Sequence, residues 1–352
     1  MLYVRKHRRV VIASDPHLAE FVQFNRRGLI PRGLGREGFI RPKYGDSSRL
    51  HYTIDSLLQA ALYAELSAAD GFVIPGDVLF TTESIEIASH APIARIFKRI
   101  TSRGLKVLLV LGDHDDATVN GRTLLEPLRQ NPAITMIDRS NYKEWLPGTW
   151  QDISIVAVPY FGVQEAQKTI AAARVADRRL SRMRDPLALG VFHCEVNGKA
   201  LHPGRRSSSP FATQHFPKHT MLNVNGHYHQ PHYHPRLRLL YAGGLSAMDF
   251  SDTEGDRGFW DVTLTPGTAP EVTFLSSEAP RFVVLDAKQP KPTGADFRDC
   301  YVRVINVPPG KVKEWKNRLA QFEPLGADVV PESGPAVPDS RRPRVTRTTS
   351  SK

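Results

Sequence analysis

Short β-branched apolar runs alternate with helix-length amphipathic segments over the first third of the chain, and this alternation leaves few architectures open. It predicts strands at Val10–Ser14, Phe72–Pro75 and Lys106–Leu111, with helices over about Ile54–Ala68 and Ile85–Ile100 between them. Strand–helix–strand units of this length bury both faces of a sheet, so the fold class is α/β. After Asn131 the strands crowd together: Ile134–Ile137, Ile153–Pro159, Ala188–His193, Met221–Asn225, Leu237–Ala242, Phe259–Leu264 and Val272–Leu275, with one long helix near Val163–Met183. That spacing predicts a second, more antiparallel sheet, and hence a two-sheet sandwich flanked by helices. From about Arg281 the pattern restarts as a small α/β cap, with strands at Phe282–Leu285, Tyr301–Ile305 and Asp328–Val330 and a helix over Val312–Phe322. Pro331–Lys352 carries four prolines and five basic residues with almost nothing apolar, and reads as a disordered basic tail. The expected organisation is therefore a main domain over 1–280, a cap over 281–330 and a tail over 331–352.

With 352 residues, 41% of them hydrophobic, the chain can bury a substantial core. No apolar run approaches the ~20 residues of a membrane span, and Val10–Ala13 is shorter than the ~7–15 residues of a secretory signal core, so neither is expected. Two cysteines, Cys194 and Cys300, cannot build a disulfide framework, which points to a reducing compartment and a cytoplasmic location. Lysine and arginine number 47 against 36 acidic residues, a formal charge of +11 that favours an anionic partner, nucleic acid first. The excess is clustered. Arg26, Arg27, Arg32, Arg36, Arg41, Lys43 and Arg49 face only Glu37 and Asp46 in a stretch without helical period, which reads as a long basic loop. No Gly-rich loop ending in Gly-Lys-Ser/Thr is present, so ATP hydrolysis by this chain is not expected.

Five polar clusters each follow an expected strand: Asp15-Pro16-His17, Gly76-Asp77, Gly112-Asp113-His114-Asp115, Phe192-His193 and Gly226-His227-Tyr228-His229. Singly, an Asp after a strand is most often a turn or capping residue. Together they offer carboxylates and imidazoles in the mixture that suits two divalent first-row transition ions.

The order and spacing of these clusters resembles that of the calcineurin-like metallophosphoesterases over roughly residues 10–280. The run NGHYHQP, LLYAGGLSAMDF, GDRGFWDVTL and EAPRFVVLD resembles, within that superfamily, the SbcD nucleases and their eukaryotic counterpart, the Mre-eleven nucleases. The resemblance implies that Asp15, His17 and His229 hold one metal and Asp113, His193 and His227 the other, with Asp77 bridging. It implies His114 as the catalytic residue left free of metal, two divalent ions with Mn²⁺ foremost, and a DNA nuclease acting on ends or hairpins. It also implies a homodimer working with an SbcC-type ATPase. The other readings are a phosphoesterase acting on a small phosphodiester or phosphoprotein, and a catalytically impaired DNA-binding subunit.

Two departures from the family pattern stand out. Asp113 replaces the usual Asn, which makes the formal charge of the site one unit more negative. Three positions after Asp77, where relatives carry an Asp that orients the free His, this chain has Phe80, leaving Asp115 or Glu83 as substitutes. His232 and His234 read as loop residues in water, Cys194 as a buried strand residue, and Arg174, Arg178 and Arg182 as a solvated helix face. The loop Pro203–Ser209 is a better candidate for phosphate contacts.

Overall fold

The computed structural model describes residues 7–18, 48–80, 87–116, 118–119, 122–183, 187–202, 205–253, 255–289, 297–322 and 324–332. Two compact units emerge, Met1–Phe282 and Val283–Lys352. In chain order, the first contains β1 (Arg8–Ile12), α1 (Ser48–Leu66), β2 (Gly71–Ile74), α2 (Ile87–Thr101) and β3 (Val107–Val110). A hairpin of β4 (Thr118–Val119) and β5 (Arg122–Thr123) follows, then β6 (Ile134–Ile137), β7 (Gly148–Trp150), β8 (Ile153–Val158), α3 (Ala166–Leu180) and β9 (Ala188–Phe192). A second hairpin pairs β10 (Ala200–His202) with β11 (Arg205–Arg206), before β12 (Leu222–Asn225), β13 (His232–His234), β14 (Leu239–Tyr241), β15 (Gly258–Leu264) and β16 (Glu271–Ser276). The remaining elements are β17 (Arg281–Asp286), which runs across the boundary, β18 (Cys300–Val307), α4 (Val312–Gln321) and β19 (Gly326–Pro331).

The fold is an α/β two-sheet sandwich flanked by helices. One six-stranded sheet has the order β16-β15-β1-β2-β3-β6, the other β13-β14-β12-β9-β8-β7. Alternation along each strand builds three apolar layers. Val10, Ile12, Val73, Leu108 and Val110 meet Ile155, Ala157, Val191 and Val224 between the sheets. Val11, Phe72, Ile74 and Leu109 pack outward against Leu57, Ala60 and Ala64 of α1 and Phe97 of α2. Val156, Val158 and Phe192 face Ala173 and Ala176 of α3. Strands buried on both faces have no polar side to show, which is why they read as unbroken apolar runs. In the second unit β17, β18 and β19 form a sheet, and Val302, Val304 and Val329 pack with Trp315 and Leu319 of α4.

Three expectations are corrected. The second sheet is parallel at its centre, where β8, β9, β12 and β14 pair in parallel, and antiparallel only at its edges. Strands β15 and β16, expected there, instead extend the first sheet, β15 antiparallel to β1 and β16 antiparallel to β15, with an ion pair between Arg9 of β1 and Asp261 of β15. The chain through Pro331 belongs to β19 rather than to a tail. The basic loop lies mostly outside the described residues, as do Glu83 and residues 333–352.

Candidate metal centre

Strands β1, β2 and β3 run parallel, as do β9 and β12, so all five polar clusters emerge from the C-terminal ends of strands. Each chain turn there is sharp. Asp15, His17, Asp77 and His227 all take left-handed backbone angles, with φ between 48° and 74°. Such conformations cost on the order of 1–3 kcal/mol each in non-glycine residues, and they cluster where side chains must be aimed against local preference. The glycines make room. Gly112 precedes Asp113, and a Cβ there would lie 2.1 Å from Asp77 Oδ1; at Gly76, where φ is +103°, it would lie 2.2 Å from His193 Nδ1.

Ligand-capable atoms of Asp77, Asp113, His193 and His227 lie within 4.8 Å of one another, as do those of Asp15, His17 and His229. Asp77 joins the two groups: its Oδ2 is 3.4 Å from His193 Nε2 and 3.8 Å from His17 Nε2. All seven residues proposed as ligands from sequence are thus brought together. His114 stands beside them, forming a further group with His17 and Asp77.

Hydrogen bonds fix which nitrogen faces inward. His17 Nδ1 donates to Leu79 O at 3.2 Å, and His193 Nδ1 to Pro75 O at 2.6 Å, since a carbonyl only accepts. His229 Nδ1 meets Asp252 Oδ2 at 2.9 Å. The Nε2 atoms then face the centre, where His17 Nε2 lies 3.1 Å from His229 Nε2 and His193 Nε2 lies 3.0 Å from Asp113 Oδ1. Lone pairs cannot confront each other at such distances without a cation between them, whether a proton or a metal. Asp15 is fully buried and Asp77 nearly so, which adds carboxylate charge that also calls for cations. The donor set therefore fits two divalent ions.

The titrations reflect the same crowding. Burial pushes the Asp15 carboxyl up to about 6 and the His17 imidazole down to about 3. Burial opposes charge on His193, yet Asp77 and Asp113 raise it well above the usual imidazole value.

Asp252 is the residue that sequence reasoning missed. Burial would raise its carboxyl, but the hydrogen bond with His229, the Met248 N–H and the neighbouring Arg257 hold it down at about 2. A carboxylate on the outer nitrogen of a ligating imidazole fixes its tautomer and raises its basicity. The sequence signal is slight: an Asp in DFSD, after the Gly-rich turn, in a segment with no strand or helix period.

Asp115, expected as a substitute orienter of His114, does not serve it. It is buried and uses both carboxylate oxygens on backbone N–H groups, of Leu79 at 3.0 Å and Gly112 at 3.0 Å. It braces the loops instead. The Phe80 ring lies parallel to the His114 ring with centroids 5.6 Å apart, and the His114 N–H of the main chain donates to Asp77 Oδ1 at 3.0 Å. His114 Nδ1 is buried with no hydrogen-bond partner among the described residues. In the loop after β11, Ser207 and Ser209 are buried and bonded internally, Ser207 Oγ to Glu195, so these hydroxyls hold the loop's shape rather than awaiting phosphate. Tyr160, at the end of β8, stacks on His227 with centroids 5.7 Å apart.

No family model matches the chain, and no curated protein matches it. Among solved structures it is similar to a dimetal phosphatase from Danio rerio, at 12% identity and a TM-score of 0.37 over 76% of this chain and 99% of that one. It is also similar to the calcineurin-like phosphoesterase YfkN from Bacillus subtilis, at 10% identity and a TM-score of 0.40 over 77% of this chain and 91% of that one. The chemistry rests on this chain's own side chains.

Proposed function

We propose that this protein is a metal-dependent phosphodiesterase of the calcineurin-like kind, and that its substrate is DNA, cleaved as an SbcD-type nuclease would cleave it. The observation that carries the reading is Asp77, whose carboxylate lies between two groups of three donors each. Divalent ions held there would neutralise phosphoryl charge and make water a nucleophile near neutral pH. Asp15, Asp77 and Asp113 supply the negative charge that retains them. His17, His193 and His229 present fixed Nε2 atoms because their Nδ1 atoms are already engaged. His114, with its ring partly exposed and Nε2 3.9 Å from Asp113 Oδ2, is placed to give a proton to the departing oxygen.

The choice of DNA is supported by the +11 charge, the basic run from Arg26 to Arg49 and the resemblance of the GDRGFWDVTL segment. On that same resemblance, an SbcC-type ATPase and a second copy of this chain are the proposed partners. The test is release of nucleotides from linear duplex DNA with Mn²⁺ supplied, with excess chelator, and with His114→Ala. Activity only with metal, and lost in the variant, is expected. Equal activity in excess chelator would sink the dinuclear reading. Hydrolysis of bis(4-nitrophenyl) phosphate without any action on DNA would return the enzyme to small phosphodiesters.

A further inference from the structure

On the strand that follows the ligand candidates in sequence, and in the turn before the β10–β11 hairpin, a lysine and two imidazoles gather around Tyr241. Lys199 sits in the turn before the β10–β11 hairpin, held by its N–H to Val196 O at 3.1 Å and its carbonyl to Ser207 N at 2.9 Å. Its ammonium lies 4.2 Å from the Tyr241 ring centroid and 6.0 Å from that of Tyr228. No carboxylate of the described residues pairs with it. Tyr241 of β14 is in register with His232 of the edge strand β13. His232 and His234, two apart, share one face of that strand, with ring centroids 4.0 Å apart and facing nitrogens at 3.3 Å. The His234 ring is 6.0 Å from Tyr241. Burial lowers the proton affinity of His234, and the neighbouring His232 and Lys199 act in the same direction.

An ammonium with no carboxylate partner leaves its remaining N–H groups open to an anionic acceptor above the π-faces, and the two imidazoles beside it add ring N–H donors. The cluster is also near the chemistry. Tyr228 lies between the ligand candidates His227 and His229, and His232 follows His229 by three residues, within about 11 Å of extended chain. A diester with a single phosphate needs nothing there, whereas a polynucleotide carries its next phosphates past such a point.

We propose that Lys199, His232 and His234 form a second phosphate subsite that holds the backbone of a polynucleotide whose scissile phosphate sits at Asp77. This rests on the phosphodiesterase reading with a polynucleotide substrate and adds the residues that hold the chain beyond its scissile phosphate.

The full-length protein would be tested with a fluorescein-labelled oligothymidylate of about a dozen nucleotides and with bis(4-nitrophenyl) phosphate, both in Mn²⁺. The Lys199→Gln/His234→Gln variant is expected to lower the ratio of kcat/KM for oligonucleotide over small diester by at least about 5-fold, through KM. Its binding, read by fluorescence anisotropy in chelator, should lose about 0.7 from the salt slope for each single-strand phosphate it no longer neutralises. Lys199→Arg should retain both properties. An unchanged ratio and slope, or equal losses on both substrates, overturns the subsite and leaves the phosphodiesterase standing. A wild type that hydrolyses the small diester yet neither binds nor cleaves the oligonucleotide overturns the subsite and the nuclease reading together.

Discussion

At the scale of single residues, Asp113 is the most informative of the candidate ligands. Its Oδ1 lies 3.0 Å from both His193 Nε2 and His227 Nδ1, inside one ligand group. Asp113→Asn removes one negative charge, so metal should be held less tightly while water at the site becomes more acidic. At saturating Mn²⁺ the variant should match or exceed wild type with its pH optimum moved down, and at limiting Mn²⁺ it should be slower. A large rate loss at saturating metal with unaltered Mn²⁺ affinity would defeat the ligand assignment and make Asp113 a partner of His114 instead. Asp252→Asn keeps an acceptor for His229 but removes the charge, and partner losses of this kind cost about 10–100-fold in metal affinity. Titration with Mn²⁺ checks this, and an unchanged affinity would show that Asp252 merely packs.

Among the elements, α1 carries a strain unrelated to the metal site. Asp55 faces Arg99 of α2, and its Oδ1 is buried without a hydrogen-bond partner among the described residues. Burial pushes this carboxyl up to about 7, against the pull of Arg99. In the unfolded chain it titrates near ~3.9, so between those values the folded state binds more proton and stability falls as pH rises. Asp55→Asn removes that loss. The variant should gain little at pH ~4 and on the order of 1 kcal/mol at pH ~8, a figure reduced for the solvent that still reaches the group. Thermal melts of both proteins at the two pH values decide it, and equal shifts at both would sink the assignment.

For the whole molecule, metal and charge give two global readouts. Ions that bind the folded chain alone stabilise it by about 2.7 kcal/mol at a hundred times their Kd. Chelator should therefore lower Tm as well as abolish activity, and a Tm indifferent to Mn²⁺ would contradict a resident metal centre. Neutralising Arg26, Arg27, Arg32 and Arg36 should weaken duplex binding and reduce its salt slope by up to about 0.9 for each phosphate left without its arginine. An unaltered slope would make the basic run a solvated surface. No helix of the described residues is long and apolar enough to cross a membrane.

The α/β class and the five polar clusters at strand ends were legible in the amino-acid sequence, because both follow from local rules, whereas the choice of seven donors within those clusters came from the resemblance to the metallophosphoesterases. Apolar runs bounded by turns become buried strands, and parallel strands deliver their C-terminal residues to one edge. Asp15, Asp77 and His193 each stand within three residues of the end of such a run, which marked their clusters before any contact was known. The pairings between distant segments, by contrast, were set by long-range packing. β15 and β16 joined the first sheet because Trp260 and Val262 complete the apolar layer between the sheets with Val10 and Ile12, a match that no local period encodes. Asp115 turned to Leu79 and Gly112, and Asp252 to His229, because a buried polar group takes whichever partner folding brings within reach. The cluster of Lys199, His232 and His234 is of the same kind: two stretches more than thirty residues apart in sequence meet over one tyrosine ring only once β13 and β14 have paired.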